Sequence, residues 1–320
     1  MKKRIIGIIV LVCLLLGACG KSSEPRLERS QLLGIDDVIC SWGEAKIFIL
    51  TQHTAYGQTY GESVWDVPLS DGNFESYIRD SLLEYLKTMM LAVYAAEQIG
   101  ASLSEAEQRE VNLAADAFMS DLKGSQGLGI QAEDVRNAYA HYAMAQIFYR
   151  QTITDSRLEI SDEEARIISL QIVEMDASVG YEQASALAEE VKSGRSVSEI
   201  IKGYEGASLR TENISRGMYG STLESIAFSL KQDQWSPVIS EDGKYYILRC
   251  LSPFMEAETN RNKAEMAIRA REELLNKALR NYARTAQLIY NPELWDNWSM
   301  SQFTEAPEID FFAYTANLEK

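Results

Sequence analysis

From Asn73 onward, apolar residues recur at every third or fourth position: Phe74, Tyr77, Ile78, Leu82, Tyr85, Leu86, Met89 and Val93. A repeat of 3.6 places them on one face of a helix, so this part of the chain is committed to packing helix against helix. Asn73 is a suitable N-cap, because its side-chain oxygen can accept an orphan N–H, and Gly100 is a suitable stop. Ser104-x-x-Glu107 is a capping box opening a second helix that runs to about Lys123. The glycine-rich break Gly124–Gly129 precedes a third helix, about Ala132 to Thr152, whose spacing buries Val135, Tyr139, Tyr142, Ile147 and Phe148. Upstream, Val38–Trp42 reads as a short strand, Gly43-Glu44 as a turn and Ala45–His53 as a helix. A Gly-, Tyr- and Ser-rich loop then runs to Gly72.

The period changes after the third helix. Ser161-x-x-Glu164 is another capping box, set just before the β-branched run Ile167–Val173, which reads as a strand. Ala184, Leu187, Ala188 and Val191 then share a helix face, and Gly194 leads into a shorter helix holding Val197, Ile200, Ile201 and Tyr204. A helix near Leu223–Leu230 and a strand over Tyr245–Leu251 follow, so the order β-α-α-α-β predicts a compact α+β domain over 161–255. After Pro253 comes a long amphipathic helix with Ala264, Ile268, Leu275, Leu279, Tyr282 and Ala286 along its stripe. Gln287–Tyr290 reads as a short strand stopped by Asn291-Pro292, and residues 301–320 form a tail of aromatics and acids without a period.

The N-terminus sets the compartment. Lys2-Lys3-Arg4 is followed by fourteen uncharged residues, Ile5–Ala18, and then by Cys19. A basic start, a short apolar run and small residues describe a secretory signal over 1–18. The run is shorter than the ~20 residues a bilayer crossing needs. Residues 19–30 are polar and read as a tether. The net charge is −16, and loss of Lys2, Lys3 and Arg4 with the signal makes it three units more negative. Such a chain is repelled by nucleic acid, which is excluded as a partner. Cys13 leaves with the signal, so Cys40 and Cys250 remain, and two distant cysteines do not establish a bridge. No metal-ligand spacing, phosphate loop or nucleophile triad is present, and no cofactor is expected. His141 reads as a surface or packing histidine, and Glu163-Glu164 as helix-start charge.

Several passages resemble a known family. Leu16-Gly17-Ala18-Cys19 resembles a bacterial lipobox, which implies a lipid anchor on Cys19. Arg216-Gly217, the later Ala227-Phe228-Ser229-Leu230, Ser236-Pro237-Val238 and Tyr245-Tyr246-Ile247-Leu248 resemble the second half of a parvulin prolyl isomerase domain. Gly194–Tyr204, the helix ending Gln98-Ile99-Gly100 and the closing Ala286–Pro292 extend the likeness to foldases of the SurA/PrsA type. The resemblance implies a mostly helical chaperone domain built from 31–160 and 256–300, with the parvulin-like domain inserted between them. It also implies that the closing strand pairs near Cys40.

The family's activity uses two histidines, an acidic or thiol residue between them and an apolar proline pocket. By the resemblance Tyr246 stands at one histidine position and Gln171 at the other, with Leu170 there on a one-residue shift. The chain's two histidines, His53 and His141, lie outside the domain. Glu212 and Asn213 lie nearest the central position. The implied peptide-binding set is Tyr219, Leu223, Phe228, Tyr246 and Gln171, with Tyr219 and Tyr246 as exposed floor and Phe228 as core. The expected partners are the lipid bilayer and unfolded or proline-containing secreted chains, held outside the cytoplasm with weak or no isomerase activity. A working isomerase with atypical residues and a lipoprotein docking module are the alternatives.

Overall fold

The structure is a computed structural model that describes residues 27–122 and 128–319. The signal segment, Cys19, the first part of the tether and most of the Gly124–Gly129 break lie outside the described residues. The chain divides into two units, one made of residues up to Arg157 together with those from Glu272 on, the other of Leu158–Arg271.

The first unit begins with a tight antiparallel pair, β1 (Gln31–Ile35) and β2 (Val38–Ser41). Ser41 ends β2 and caps helix α1 (Trp42–Tyr60), its Oγ accepting from the Glu44 amide at 2.9 Å and donating to Asp134 Oδ1 at 2.5 Å. Gly43 and Glu44 are therefore the first turn of a helix, where a turn was expected, and α1 runs seven residues beyond His53 to Tyr60. Gly43 is needed for close approach: a Cβ there would lie 2.1 Å from the Asp134 carboxylate. Helix α2 (Phe74–Gln98) is capped by Asn73, whose side chain accepts from Ser76 N, and stops at Gly100, which has φ +75°. Helix α3 (Glu105–Asp121) opens on the Ser104–Glu107 capping box, and α4 (Ala132–Ser156) lies against α2 and α3. Phe48, Leu86, Met90, Phe118 and Tyr139 are fully buried among these helices.

In the second unit the Ser161 capping box opens only a single turn, α5 (Asp162–Ala165). It is followed by β3 (Ile168–Asp176), α6 (Tyr181–Val191), α7 (Val197–Ile200), β4 (Ser208–Ile214), α8 (Ser221–Ser229), β5 (Ile239–Glu241) and β6 (Lys244–Ser252). The three expected helices and the two outer strands are present. Strands β4 and β5 were expected to be loop, and with them the sheet is four-stranded and antiparallel, in the order β4-β3-β6-β5. One face of the sheet packs Val173, Met175 and Ile247 on α6 and α7; the other packs Ile172, Leu248 and Cys250 on α8. Ser236, fully buried, accepts from the Leu248 amide at 2.9 Å and donates to Pro237 O, which pins the Ser-Pro-Val turn onto β6.

Helix α9 (Glu256–Ala283) leads back to the first unit, where β7 (Leu288–Tyr290) pairs with β1. The partner is thus β1, whereas the strand holding Cys40 is β2 on the far side, in the order β2-β1-β7. Pro292 opens the short α10 (Pro292–Asp296). The segment expected as an aperiodic tail is core: Met300, Phe303, Ile309, Phe311 and Leu318 are all buried with the helices. It advances by 3₁₀ turns at Met300–Phe303 and Phe311–Tyr314 joined by irregular backbone, so its sequence has no period to detect. Cys40 and Cys250 are free and buried, and burial, first among the causes, raises both thiol pKa values.

One buried ion pair gives the first unit a pH dependence. His141 Nδ1 lies 2.7 Å from Glu44 Oε1, and the Glu44 side chain is 1% exposed. Burial works against the imidazolium, but the Glu44 charge and hydrogen bond outweigh it and raise the His141 pKa above the ordinary ~6.5. A raised folded-state value means the stabilisation is complete below the unfolded value and is lost as pH rises through the folded one. The stability difference between the wild type and H141Q should therefore be larger at pH 6 than at pH 8.5. At pH 6 it should approach ~3 kcal/mol, the low end for breaking a buried pair. Urea midpoints at the two pH values measure it, and equal differences would mean the pair does not titrate.

Candidate functional site

Residues directly opposite in an antiparallel ladder share a face, so strand register decides which side chains can act together. In the second unit Leu170 stands opposite Glu212 and Cys250, Ile172 opposite Arg210 and Leu248, and Glu174 opposite Tyr246. These residues make up the face covered by α8. Gln171 stands opposite Thr211 and Arg249, on the other face. The expected pair of Gln171 and Tyr246 is therefore split by the sheet, and Leu170 is the residue that shares a face with Tyr246. The reason is the period of two: a shift of one residue moves a side chain through the sheet. The Gln171 Oε1 is buried on the α6–α7 face without a protein hydrogen-bond partner.

On the α8 face the apolar candidates are packed closed. Leu223 is 0% exposed, Phe228 8% and Tyr246 7%, and they sit in one cluster with Leu170, Ile172 and Leu248. Tyr246 is consequently core, where exposed floor was expected; Phe228 is core as expected. Tyr219 is half-buried against the same cluster. The Arg-Gly…Phe spacing now has a physical account. The Arg216 guanidinium lies 4.3 Å from the Phe228 ring centre, and Arg166 covers the same ring at 5.0 Å. Gly217 takes φ +80°, a conformation that favours glycine, and its amide donates to Glu224 Oε2 at 2.6 Å. The pair thus turns the chain into α8 and lays a cation over the ring eleven residues beyond Gly217.

Beside Tyr246, this face carries an ion-pair network. Arg210 Nη1 donates to Glu174 Oε2 at 2.5 Å, its Nε to Glu212 Oε2 at 3.2 Å, and its Nη2 to the Tyr219 hydroxyl at 3.1 Å. Tyr219 in turn donates to Glu212 Oε2 at 2.5 Å, and Lys244 pairs with the other Glu174 oxygen. The Lys244 hydrogen bond, helped by Arg210, lowers the Glu174 pKa, so it stays an ionised acceptor at neutral pH. Burial, then the bond to Glu212, raises the Tyr219 pKa, and burial raises that of Tyr246. Both carboxylates are paired with cations, and the raised values of Tyr219 and Tyr246 keep both phenols protonated near pH 7.

Of the candidate central residues, Glu212 belongs to this network and Asn213 points to the other face. Glu174, Arg210 and Lys244 were not anticipated. Strand β4 places Arg210 and Glu212 on one face with Ile214, but its apolar residues Leu209 and Ile214 fall on opposite faces and leave no hydrophobic alternation to read. Among the described residues no cluster of His, Cys, Asp and Glu could hold a metal ion.

No family model matches the chain, and no curated protein does. Similar chains occur among solved structures. The foldase protein PrsA from Lactococcus lactis is 12% identical at a TM-score of 0.33, with 91% of this chain and 99% of that one covered. The foldase protein PrsA from Streptococcus pneumoniae is 14% identical at 0.29, covering 84% and 97%. A Campylobacter jejuni structure described with PEB4 and Cj1289 as SurA-like chaperones is 11% identical at 0.32, covering 82% and 99%.

The packing of Phe228 can be measured. F228A should lower unfolding stability by about 3–5 kcal/mol, the loss for a buried aromatic truncated in a core. R216A should cost ~1 kcal/mol or less, since it removes one half-exposed cation from the ring. Urea denaturation reads both. A loss under ~0.5 kcal/mol for F228A would mean the ring is an exposed surface after all.

Proposed function

We propose that this chain is a lipid-anchored, extracytoplasmic folding factor that holds unfolded segments of secreted proteins and has little or no prolyl isomerase activity. The observation that carries the second half is the α8 face: its apolar residues are closed on one another, and its polar residues are a saturated ion-pair network. Isomerisation requires an amide resonance barrier of ~18–20 kcal/mol to be lowered by binding the twisted bond better than the planar one. A face whose apolar side chains pack on one another and whose carboxylates are held by cations offers that bond little.

The holding role is supported by the parvulin-like motifs and by the first unit. There a cleft of about 380 Å³ is lined by Ile99, Phe148, Ala278 and Tyr282, with Gln151 and Asp155 at its polar edge. Apolar side chains with a few polar groups suit a weakly held extended segment, released by dissociation without nucleotide. Anchoring is assigned to Cys19 of Leu16-Gly17-Ala18-Cys19. No helix among the described residues is long and apolar enough to cross a membrane.

Cis/trans exchange of an Ala-Pro peptide, followed by NMR, tests the catalytic half of this reading. Uncatalysed exchange takes tens of seconds. The chain from Gly20 onward should leave that time unchanged, while shifts of the peptide signals report contact. Acceleration that disappears in Y246F or Y219F would make this an isomerase. Neither acceleration nor contact, together with no effect on aggregation of a reduced, unfolded protein, would leave a docking module. C19S should move the chain from the membrane to the soluble fraction; retention in the membrane would refute the anchor.

A further inference from the structure

In the first unit, the C-terminal segment is held in the way a receptor holds a peptide. Among the described residues, the main-chain hydrogen bonds of 300–319 are local turns, such as Ala306 to Phe303 O and Leu318 to Thr315 O. Its attachment to the helices comes from side chains reading its backbone. The Phe311 amide donates to Thr51 Oγ1 at 3.0 Å and the Ile309 amide to Thr54 Oγ1 at 3.0 Å, both on α1. Tyr139 of α4 donates to Phe311 O at 3.0 Å, and the Met300 amide donates to Glu75 Oε1 of α2 at 2.9 Å. The Phe311 ring fills an aromatic pocket, stacked on Tyr139 at 4.2 Å and tilted against Phe48 at 4.7 Å. Tyr142 donates to Glu319 Oε1 at 3.0 Å at the far end.

Backbone read by side chains, and specificity carried by one or two anchoring aromatics, is how extended peptides are recognised. We infer that the groove formed by α1, α2 and α4 is a polypeptide-binding site, occupied in cis by the chain's own tail. Its other ligand is an unfolded segment of the same chemistry, with adjacent aromatics preceded by an acid, as in Asp310-Phe311-Phe312. This rests on the reading of the chain as a folding factor and adds a control to it. Tethered in cis, the tail acts at an effective concentration of the order of millimolar, so clients gain the groove only by outcompeting it. Thr304 and Glu305 are exposed between the buried anchors Phe303 and Ile309, which leaves a point where the tail can be severed without touching either.

The test uses the full chain in detergent with a protease site placed at Thr304–Glu305. After cleavage the helical circular dichroism should persist, and a labelled peptide copying residues 305–320 should exchange into the groove by anisotropy. The same peptide carrying F311A should bind at least ~30-fold more weakly, as for a hot-spot aromatic. The uncut chain should take up at least ~10-fold less peptide, and a reduced, unfolded protein should displace it from the cut chain. In a second, uncut form, T51V/T54V removes the two side-chain hydroxyls that accept from the tail's backbone amides; those amides should exchange faster with solvent and peptide uptake should rise. Unfolding on cleavage, absence of exchange, or unchanged uptake by T51V/T54V despite faster tail exchange would each show an integral core and overturn the proposal. Failure of displacement also overturns it. If the uncut chain then still suppresses aggregation, the folding-factor reading survives; if neither form does, that reading falls too.

Discussion

Phe311 lies flat on Tyr139, only 13° from parallel, and gives its carbonyl to the same tyrosine's hydroxyl. These two residues are 172 positions apart, and the first unit depends on their meeting. Its helices between Trp42 and Ser156 leave Phe48, Phe118 and Tyr142 around a space that only the C-terminal segment fills. The short sheet repeats the arrangement, with β7 from one end of the chain hydrogen-bonded to β1 from the other. Such pairings close long loops before contacts reward them, so the unit should complete its core late in folding, after α2, α3 and α4 have paired. The second unit closes shorter loops, since its strands pair within Leu158–Arg271.

The second unit holds its α8 face together by a few specific contacts. The elements that shape it remain: Gly217 at the turn into α8, Arg216 over Phe228, and Ser236 pinned to β6. Their work is structural, and they serve it whatever stands on the sheet. Beside them lies a network in which Glu174 and Glu212 each have a cation and Arg210 joins three partners. Partial burial opposes the Arg210 charge, but its hydrogen bonds to Tyr219, Glu174 and Glu212 hold it firmly. A network of this kind favours order over reactivity, because Arg210 and Lys244 are engaged with the carboxylates that face them.

Much of this was legible in the sequence, for local reasons. Asn73 caps its helix as read, and Ser104 and Ser161 form the boxes that their spacing with Glu107 and Glu164 implies, because a capping box is complete within four residues. The illegible parts depend on distant partners. Gly43 looks like a turn residue until Asp134, ninety-one positions away, is seen to need its space. Strand β4 carries exposed and half-exposed residues at an edge, so its hydrophobic alternation is weak. The placing of Gln171 beside Tyr246 failed on parity alone, which a motif aligned by letters does not encode. His141 pairs with Glu44 across two helices, and no local pattern announces that.

Cys40 and Cys250, free and enclosed, bear on how the chain meets other thiols. Both side chains are buried and both thiol pKa values are raised, so the reactive thiolate is scarce and out of reach. Mixed-disulfide formation begins with attack by an accessible thiolate. A chain working outside the cytoplasm, among polypeptides whose own cysteines are still unpaired, would thus be chemically silent toward them. It could hold a reduced client without being captured by it, and without diverting its bridges into wrong partners.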